Sequence, residues 1–330
     1  MPDKAKDAMA TISIVVPCLN EAEALPFFHD SMQGVLATLS DDVTWELIYI
    51  DDGSSDDTLE TIRIFSQQDA RVRFLSFSRN FGKEAACYAG LQASGGDYVV
   101  ILDADLQDPP ALIPQMYRML CSDATLDCVT ARRISRKGEP WVRSAGARFF
   151  YWLMSRISDT PLIEGVRDYR MMTRRMVNAI LELSERNRFS KGMFSWVGFK
   201  TGQIEYEHFD RIAGKTTWSI WGLLAYSIEG IVNHSTVPLS FASWVGLLLF
   251  ILSLIGALFI VVRTLVFGNP VAGWSSLACL ILFIGGVQLF SIGIMGQYLL
   301  RIYIETKERP LFIIAQRSED SSLSPDEDTR

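Results

Sequence analysis

Residues 241–262 and 274–300 contain no Asp, Glu, Lys or Arg. Each run meets the roughly 20 apolar residues needed to cross a bilayer as a helix. In lipid a segment must satisfy its own backbone hydrogen bonds, so a helix is the form open to each. Arg263 ends the first run and Arg301 the second, and Gly268-Asn269-Pro270 turns the chain between them. A buried core hairpin is the competing reading, but the aromatic ends of the runs favour spanning. The positive mean hydropathy, +0.17, agrees with a membrane part. Two spans leave the N-terminal region and the tail on one side. That side carries Arg301, Lys307, Arg309 and Arg317, against Arg263 alone in the loop. Positive charge stays inside, so both ends are expected in the cytoplasm, with the chain multi-pass in the inner membrane. Gly285, Gly286, Gly293 and Gly296 allow close helix contact and point to a homo-oligomer.

The region before the runs alternates between short apolar runs and helical stretches. Strands are expected at Thr11–Val16, Trp45–Ile50, Arg71–Ser76, 97–102 and 127–131, with helices at 22–39, up to about Gln68, at 85–93 and at 111–120. This order predicts βαβ units and an α/β domain with a mostly parallel sheet. The strand ends carry polar clusters: Asn20 and Glu21 after the first, Asp51-Asp52-Gly53-Ser54 after the second, and Asp103-Ala104-Asp105-Leu106-Gln107-Asp108 after the fourth. Open α/β sheets bind ligands at that edge. Two carboxylates at i and i+2 repel, and Mg²⁺ or Mn²⁺ shared with a diphosphate offsets that charge, since these cations prefer oxygen ligands. Gln107 adds a neutral oxygen. The bland alternative is a solvated turn in which Asp105 or Asp108 caps the next helix.

Further along, 141–157 reads as an aromatic helix, for which core packing and a membrane interface both remain open. Phe194–Phe199 and 201–207 read as strands, and 218–232 as a juxtamembrane helix. The acidic, Ser-rich stretch 318–330 reads as a disordered tail. The five cysteines lack metal-ligand spacing and fit reduced thiols. Met1–Ala10 has no apolar core, so no signal peptide is expected. A net charge of −7 gives no argument for nucleic acid.

Taken in order, the motifs resemble glycosyltransferase family 2 with a GT-A fold, and within it the polyisoprenyl-phosphate hexose transferases. The resemblance runs from about residue 11 to 317. It rests on Pro17, Asn20 and Glu21; Asp51-Asp52-Gly53-Ser54; Ser78-Arg79-Asn80-Phe81-Gly82-Lys83-Glu84; the Asp103–Pro110 block; Asp168-Tyr169-Arg170; Arg188-Phe189-Ser190-Lys191-Gly192; 211–215; the two spans; and Gly296-Gln297-Tyr298 with Arg301-Ile302-Tyr303. It implies a GT-A domain at 11–217 after a tail at 1–10. A juxtamembrane amphipathic helix would follow at 218–236, then two spans within 237–303 and a cytoplasmic tail at 304–330.

The same resemblance implies the partners: a nucleotide sugar as donor and polyprenyl phosphate at the bilayer as acceptor. Pro17, Leu19, Glu21 and Asp52 would hold base and ribose with Asp51 beside them. Arg79 and Lys83 would reach the ribose or diphosphate. Asp103, Asp105 and Gln107 would hold Mg²⁺ or Mn²⁺, and Asp168 would face sugar and acceptor, as base or as orienting group. Arg132, Arg188, Arg211 and Lys215 would be phosphate clamps. UDP is favoured over GDP through the likeness to bacterial bactoprenol-phosphate glucosyltransferases. The alternatives are transfer to a polysaccharide and a non-catalytic membrane scaffold. No Q-x-x-R-W block of processive synthases occurs here.

Overall fold

The computed structural model describes residues 9–133, 166–206 except 184, 187 and 189, and 273–318, with single helical positions between 244 and 266. Expectations for 141–157, 218–232, Arg211, Lys215 and 319–330 lie outside the described residues.

The strands are β1 (Ala10–Cys18), β2 (Val43–Asp51), β3 (Val72–Phe77), β4 (Tyr98–Ile101), β5 (Cys128–Arg133), β6 (Val166–Thr173), β7 (Thr201–Tyr206) and β8 (Ile314–Arg317). They form one sheet in the order β7-β5-β6-β4-β1-β2-β3-β8. Pairings β1–β2, β1–β4, β2–β3 and β5–β7 are parallel; β4–β6, β5–β6 and β3–β8 are antiparallel. This is the mixed, mostly parallel α/β sheet expected of a GT-A domain.

The helices are α1 (Leu25–Leu36), α2 (Thr58–Gln68), α3 (Lys83–Ala93), α4 (Ile113–Ser122), α5 (Arg174–Leu181), α6 (Ser190–Trp196) and α7 (Trp274–Thr306). Strand periodicity divides the core into two layers. Ile12, Ile14 and Val16 of β1 pack with Phe28 and Met32 of α1, Ile62 of α2 and Met116 of α4. Val15 of β1, Ile48 and Ile50 of β2 and Val99 and Ile101 of β4 pack with α3, with Met176 and Ile180 of α5 and with Phe194 of α6. Helices therefore cover both faces, which is why the central strands are apolar on each side.

Three expectations are corrected. Pro17 does not stop β1, which runs on to Cys18 paired only with β2. Past Val15 the strand has one neighbour, and a proline is tolerated there. Phe194–Phe199 is not a strand. Phe194 to Trp196 complete α6, burying Met193 and Phe194 and exposing Trp196. As a helix it packs Phe194 with Met176 and Ile180 of α5 on one face of the sheet. Val166–Thr173, for which no strand was expected, is a central strand.

The described residues fall in two compact units, one holding the sheet and one holding α7. Within α7, Phe283–Thr306 is long and apolar enough to cross a membrane, with mean hydropathy 1.4 and none of it buried. No other such helix occurs among the described residues, and the first expected span, 241–262, lies mostly outside them. The single helical positions Trp244, Leu248, Ile251, Ile255, Leu258, Phe259, Val262 and Val266 are exposed and apolar. β8 lies in a stretch expected to be tail, yet it closes the β3 edge of the sheet.

Candidate active site

β1, β2, β3 and β4 run parallel, so their carboxyl ends, and the residues after them, meet at one edge of the sheet. After β1 the chain turns at Asn20, whose φ is 55°. Its side-chain oxygen accepts from the Ser55 N–H at 2.8 Å, and the Glu21 N–H donates to Thr58 Oγ1 at 2.8 Å. These bonds join the Pro17–Glu21 turn to the turn after β2. Leu19 stays exposed and Glu21 half-buried.

Asp51 and Asp52 end β2 as buried carboxylates. Asp51 accepts from the Ser54 N–H at 3.1 Å and from Ser76 Oγ at 2.7 Å. Asp52 accepts from the Phe81 N–H at 2.7 Å and the Gly82 N–H at 2.9 Å. Burial pushes the Asp52 pKa up, against those amides, and the Asp51 charge adds to the rise. Both acids thereby tie the turn after β2 to β3 and to the loop before α3. Gly53 shows how closely two turns approach. Its φ is +67°, and a Cβ there would sit 2.4 Å from the Arg79 carbonyl carbon. Only glycine combines that φ with that space. Arg79 is exposed, lies over the Phe81 ring at 4.0 Å and donates to the Asn80 carbonyl.

Lys83 opens α3 and sits at the centre of the acids. Its Nζ lies 2.6 Å from Asp103 Oδ1 and 3.0 Å from Asp168 Oδ2. Burial by itself would lower its pKa, but the Asp103 and Asp168 charges outweigh that and hold it well above the usual lysine value. The lysine side chain keeps 41% of its surface open, so the contact positions groups more than it stabilises the fold. Asp105 is buried, and its Oδ1 accepts from the Gln107 N–H at 3.1 Å. Among the described residues no three His, Cys, Asp or Glu side chains group closely enough to hold a metal alone. Asp103, Asp105 and Gln107 still fit Mg²⁺ or Mn²⁺. They offer oxygen donors only, and such ions usually complete their shell with substrate phosphate and water. Asp103 already draws a cation, the Lys83 ammonium.

Of the other expected clamps, Arg188 and Arg132 fall among the described residues. Arg188 is buried over the Tyr88 ring at 4.0 Å and donates to the carbonyls of Leu183, Ile180 and Glu185. That is the geometry of a helix end being capped. Arg132 is half-buried, 3.9 Å from Glu205. The structure also brings in residues not foreseen as site groups. Arg170 follows Asp168 by two on β6 and so shares its face. It is buried over Phe194 at 3.7 Å, and burial lowers its pKa against the Asp168 and Glu84 charges. Glu84 accepts from the Ser190 N–H at 3.0 Å and from its hydroxyl. Burial, then the Asp168 charge, raises the Glu84 pKa. The i, i+2 spacing in Asp168-Tyr169-Arg170 was the one signal for Arg170. Glu84 closes the Ser78–Glu84 motif, but nothing there pointed to its contact with Ser190.

Residues 13–181 match the family model described as glycosyl transferase family 2. A bactoprenol glucosyl transferase of Shigella phage SfV is 42% identical over 92% of this chain and 97% of its own length. A prophage bactoprenol glucosyl transferase homolog of Escherichia coli K12 is 41% identical over 92% and 98%. An uncharacterized glycosyltransferase of Synechocystis is 39% identical over 92% and 94%.

Proposed function

The chain belongs to glycosyl transferase family 2, and from that membership we propose that this enzyme moves a hexose from a nucleotide sugar, UDP-glucose or a related UDP-sugar, to polyprenyl phosphate. The observation that carries the reading is the Lys83 ammonium joining Asp103, on the donor side, to Asp168, on the acceptor side. The relatives named for bactoprenol supply the acceptor class.

In this reading the base and ribose lie along Pro17, Leu19, Glu21 and the turns built on Asp51 and Asp52, and Arg79 and Lys83 reach the diphosphate. Asp103, Asp105 and Gln107 would hold Mg²⁺ or Mn²⁺, which would supply a Lewis acid for the charge on the departing diphosphate. The acceptor is a phosphate monoester, largely dianionic at neutral pH because its second pKa is about 6. Its oxygen attacks the anomeric carbon as the bond to the nucleotide diphosphate breaks, inverting that carbon, and no proton has to leave. Asp168, held by Lys83, orients the sugar or acceptor rather than removing a proton. Arg132, Arg211 and Lys215 are assigned to acceptor or donor phosphate. Arg188 is assigned to shaping the turn after α5. Most of the rate comes from positioning and preorganised charge.

We assign 11–217 to the catalytic domain, 218–236 to a juxtamembrane helix and 237–303 to two spans. The pairing of β8 with β3 supports an even number of crossings. It returns the chain after α7 to the sheet of the N-terminal domain, so a spanning α7 needs a second crossing between residues 206 and 274. That places domain and C-terminus together, on the cytoplasmic side by the positive-inside rule. Among the described residues nothing lies within 4 Å of a Cβ built at Gly285, Gly286, Gly293 or Gly296, which supports association of protomers there.

Purified protein with undecaprenyl phosphate, Mn²⁺ or Mg²⁺ and a panel of labelled UDP- and GDP-sugars tests the reading. One labelled lipid product, lost on chelation, is expected. Nucleotide release without a lipid product would turn the assignment to a polysaccharide acceptor, and absence of nucleotide binding to a scaffold.

A further inference from the structure

Between Asp105 and Gln107 the backbone takes an unusual turn. Leu106 has φ 58°, the left-handed region that non-glycine residues seldom adopt. Such conformations persist where surrounding contacts over-determine them. With Leu106 in this form, the Gln107 N–H reaches Asp105 Oδ1 at 3.1 Å. The φ of Leu106 therefore sets the position of Asp105 relative to Gln107, two of the three groups assigned to the metal.

Two buried tyrosines hold the far side of the same turn. Tyr206, at the end of β7, donates its hydroxyl to Asp108 Oδ1 at 2.7 Å. Tyr169, on β6, donates its hydroxyl to the Pro109 carbonyl at 3.0 Å. Asp108 is 1% exposed, Tyr169 0% and Tyr206 6%, so these bonds are made away from water, where they fix geometry strongly. Burial, then the Asp108 charge, raises the Tyr169 pKa well above the usual phenol value, so the hydroxyl stays a donor at neutral pH. Asp108 is not the N-cap of the 3₁₀ turn Pro110–Leu112 or of α4, whose N-caps are Pro109 and Leu112. On this geometry it is the carboxylate by which the turn is fastened to the sheet. β6 thus serves both sides, Asp168 facing the acid cluster and Tyr169 the metal turn.

We propose that Tyr206 and Tyr169 are positioning residues that fasten the Asp103–Pro110 turn through Asp108 and the Pro109 carbonyl, holding Leu106 left-handed and so presenting Asp105 and Gln107 to the divalent cation. The proposal rests on the metal assignment above.

Its test is Mn²⁺ binding to the full chain in lipid nanodiscs with UDP present, measured by titration calorimetry beside the melting temperature. Tyr206→Phe is expected to weaken Mn²⁺ binding about tenfold, the scale of one hydrogen bond to a charged group. Adding Leu106→Gly, which adopts positive φ without strain, is expected to bring affinity back to within about threefold. A purely structural loss would not be recovered by a glycine in the turn. Unchanged Mn²⁺ affinity in Tyr206→Phe overturns the latch, and so does a loss that Leu106→Gly leaves in place. Should Tyr206→Phe not fold, Tyr169→Phe carries the same comparison and the same two refutations. A wild-type protein that binds UDP but no Mn²⁺ refutes the metal assignment itself, and the latch with it. That outcome is distinct from a wild-type protein that binds Mn²⁺ no better than its Tyr206→Phe variant.

Discussion

Gly53→Ala puts a single methyl group where two active-site turns touch. The new Cβ would lie 2.4 Å from the Arg79 carbonyl carbon and 2.7 Å from the Asn80 nitrogen, both backbone atoms that cannot rotate away. The φ of +67° adds about 1–2 kcal/mol for any L side chain. Forcing the loops apart adds roughly 1–3 kcal/mol. Together these give a loss of about 2–5 kcal/mol, or a melting shift of roughly 5–15 °C for a domain of this size. The displaced loop is the one whose Phe81 and Gly82 amides bond Asp52 and which leads into Lys83. Donor affinity should therefore fall along with stability. Thermal unfolding and titration with UDP measure the two effects on the same sample. A Gly53→Ala protein with wild-type melting and wild-type UDP affinity would refute the close approach and the role given to this loop. A loss of stability with UDP affinity intact would refute the second part alone.

Lys83→Met leaves Asp103 and Asp168 facing each other without their shared cation, and kcat/KM should fall about a hundredfold; steady-state transfer assays on Lys83→Met and Lys83→Arg, the latter less impaired, check this. Asp168→Asn should lower kcat at every pH, because an orienting carboxylate titrates no proton in the reaction; recovery at high pH would favour a base. Asp105→Asn should abolish transfer while leaving a folded, membrane-bound protein, and normal turnover would remove Asp105 from the metal site. His29 is buried, stacked on Phe65 at 3.9 Å and bonded to Tyr49, and burial lowers its pKa against the Asp30 and Asp69 charges. The folded state thus favours the neutral ring. Its contribution is complete above the unfolded value of about 6.5 and is lost as pH falls through the folded value. Urea unfolding at pH 7.5 and 5 should show that loss in wild type and less of it in His29→Phe.

Much of the site was legible because each acid follows an apolar run. Asp51, Asp52, Asp103 and Asp105 all sit where a buried strand ends, and parallel strands bring such ends to one edge. The contact between Lys83 and Asp168 was not legible, since it joins α3 to a strand 85 positions away whose place beside β4 follows from packing. Arg188 was expected as a phosphate clamp, and its fold back onto the carbonyls at the end of α5 was not legible. The apolar Phe194–Phe199 run suits a strand or a buried helix equally, and the packing of Phe194 against α5 goes with the helix.

The sequence by itself determined what has to be hidden from water: the strand and helix faces, the uncharged runs and the strand ends where charge gathers. Those follow from hydrophobic period and length, which are properties of neighbours in the chain. Only the tertiary structure decided which partner each buried polar group takes. Lys83 goes to Asp103 and Asp168, Tyr206 to Asp108, and β8 to the edge of β3. A buried charge or hydrogen-bonding group must be satisfied by whatever the packed elements bring within about 3 Å, and sequence distance carries no information about that.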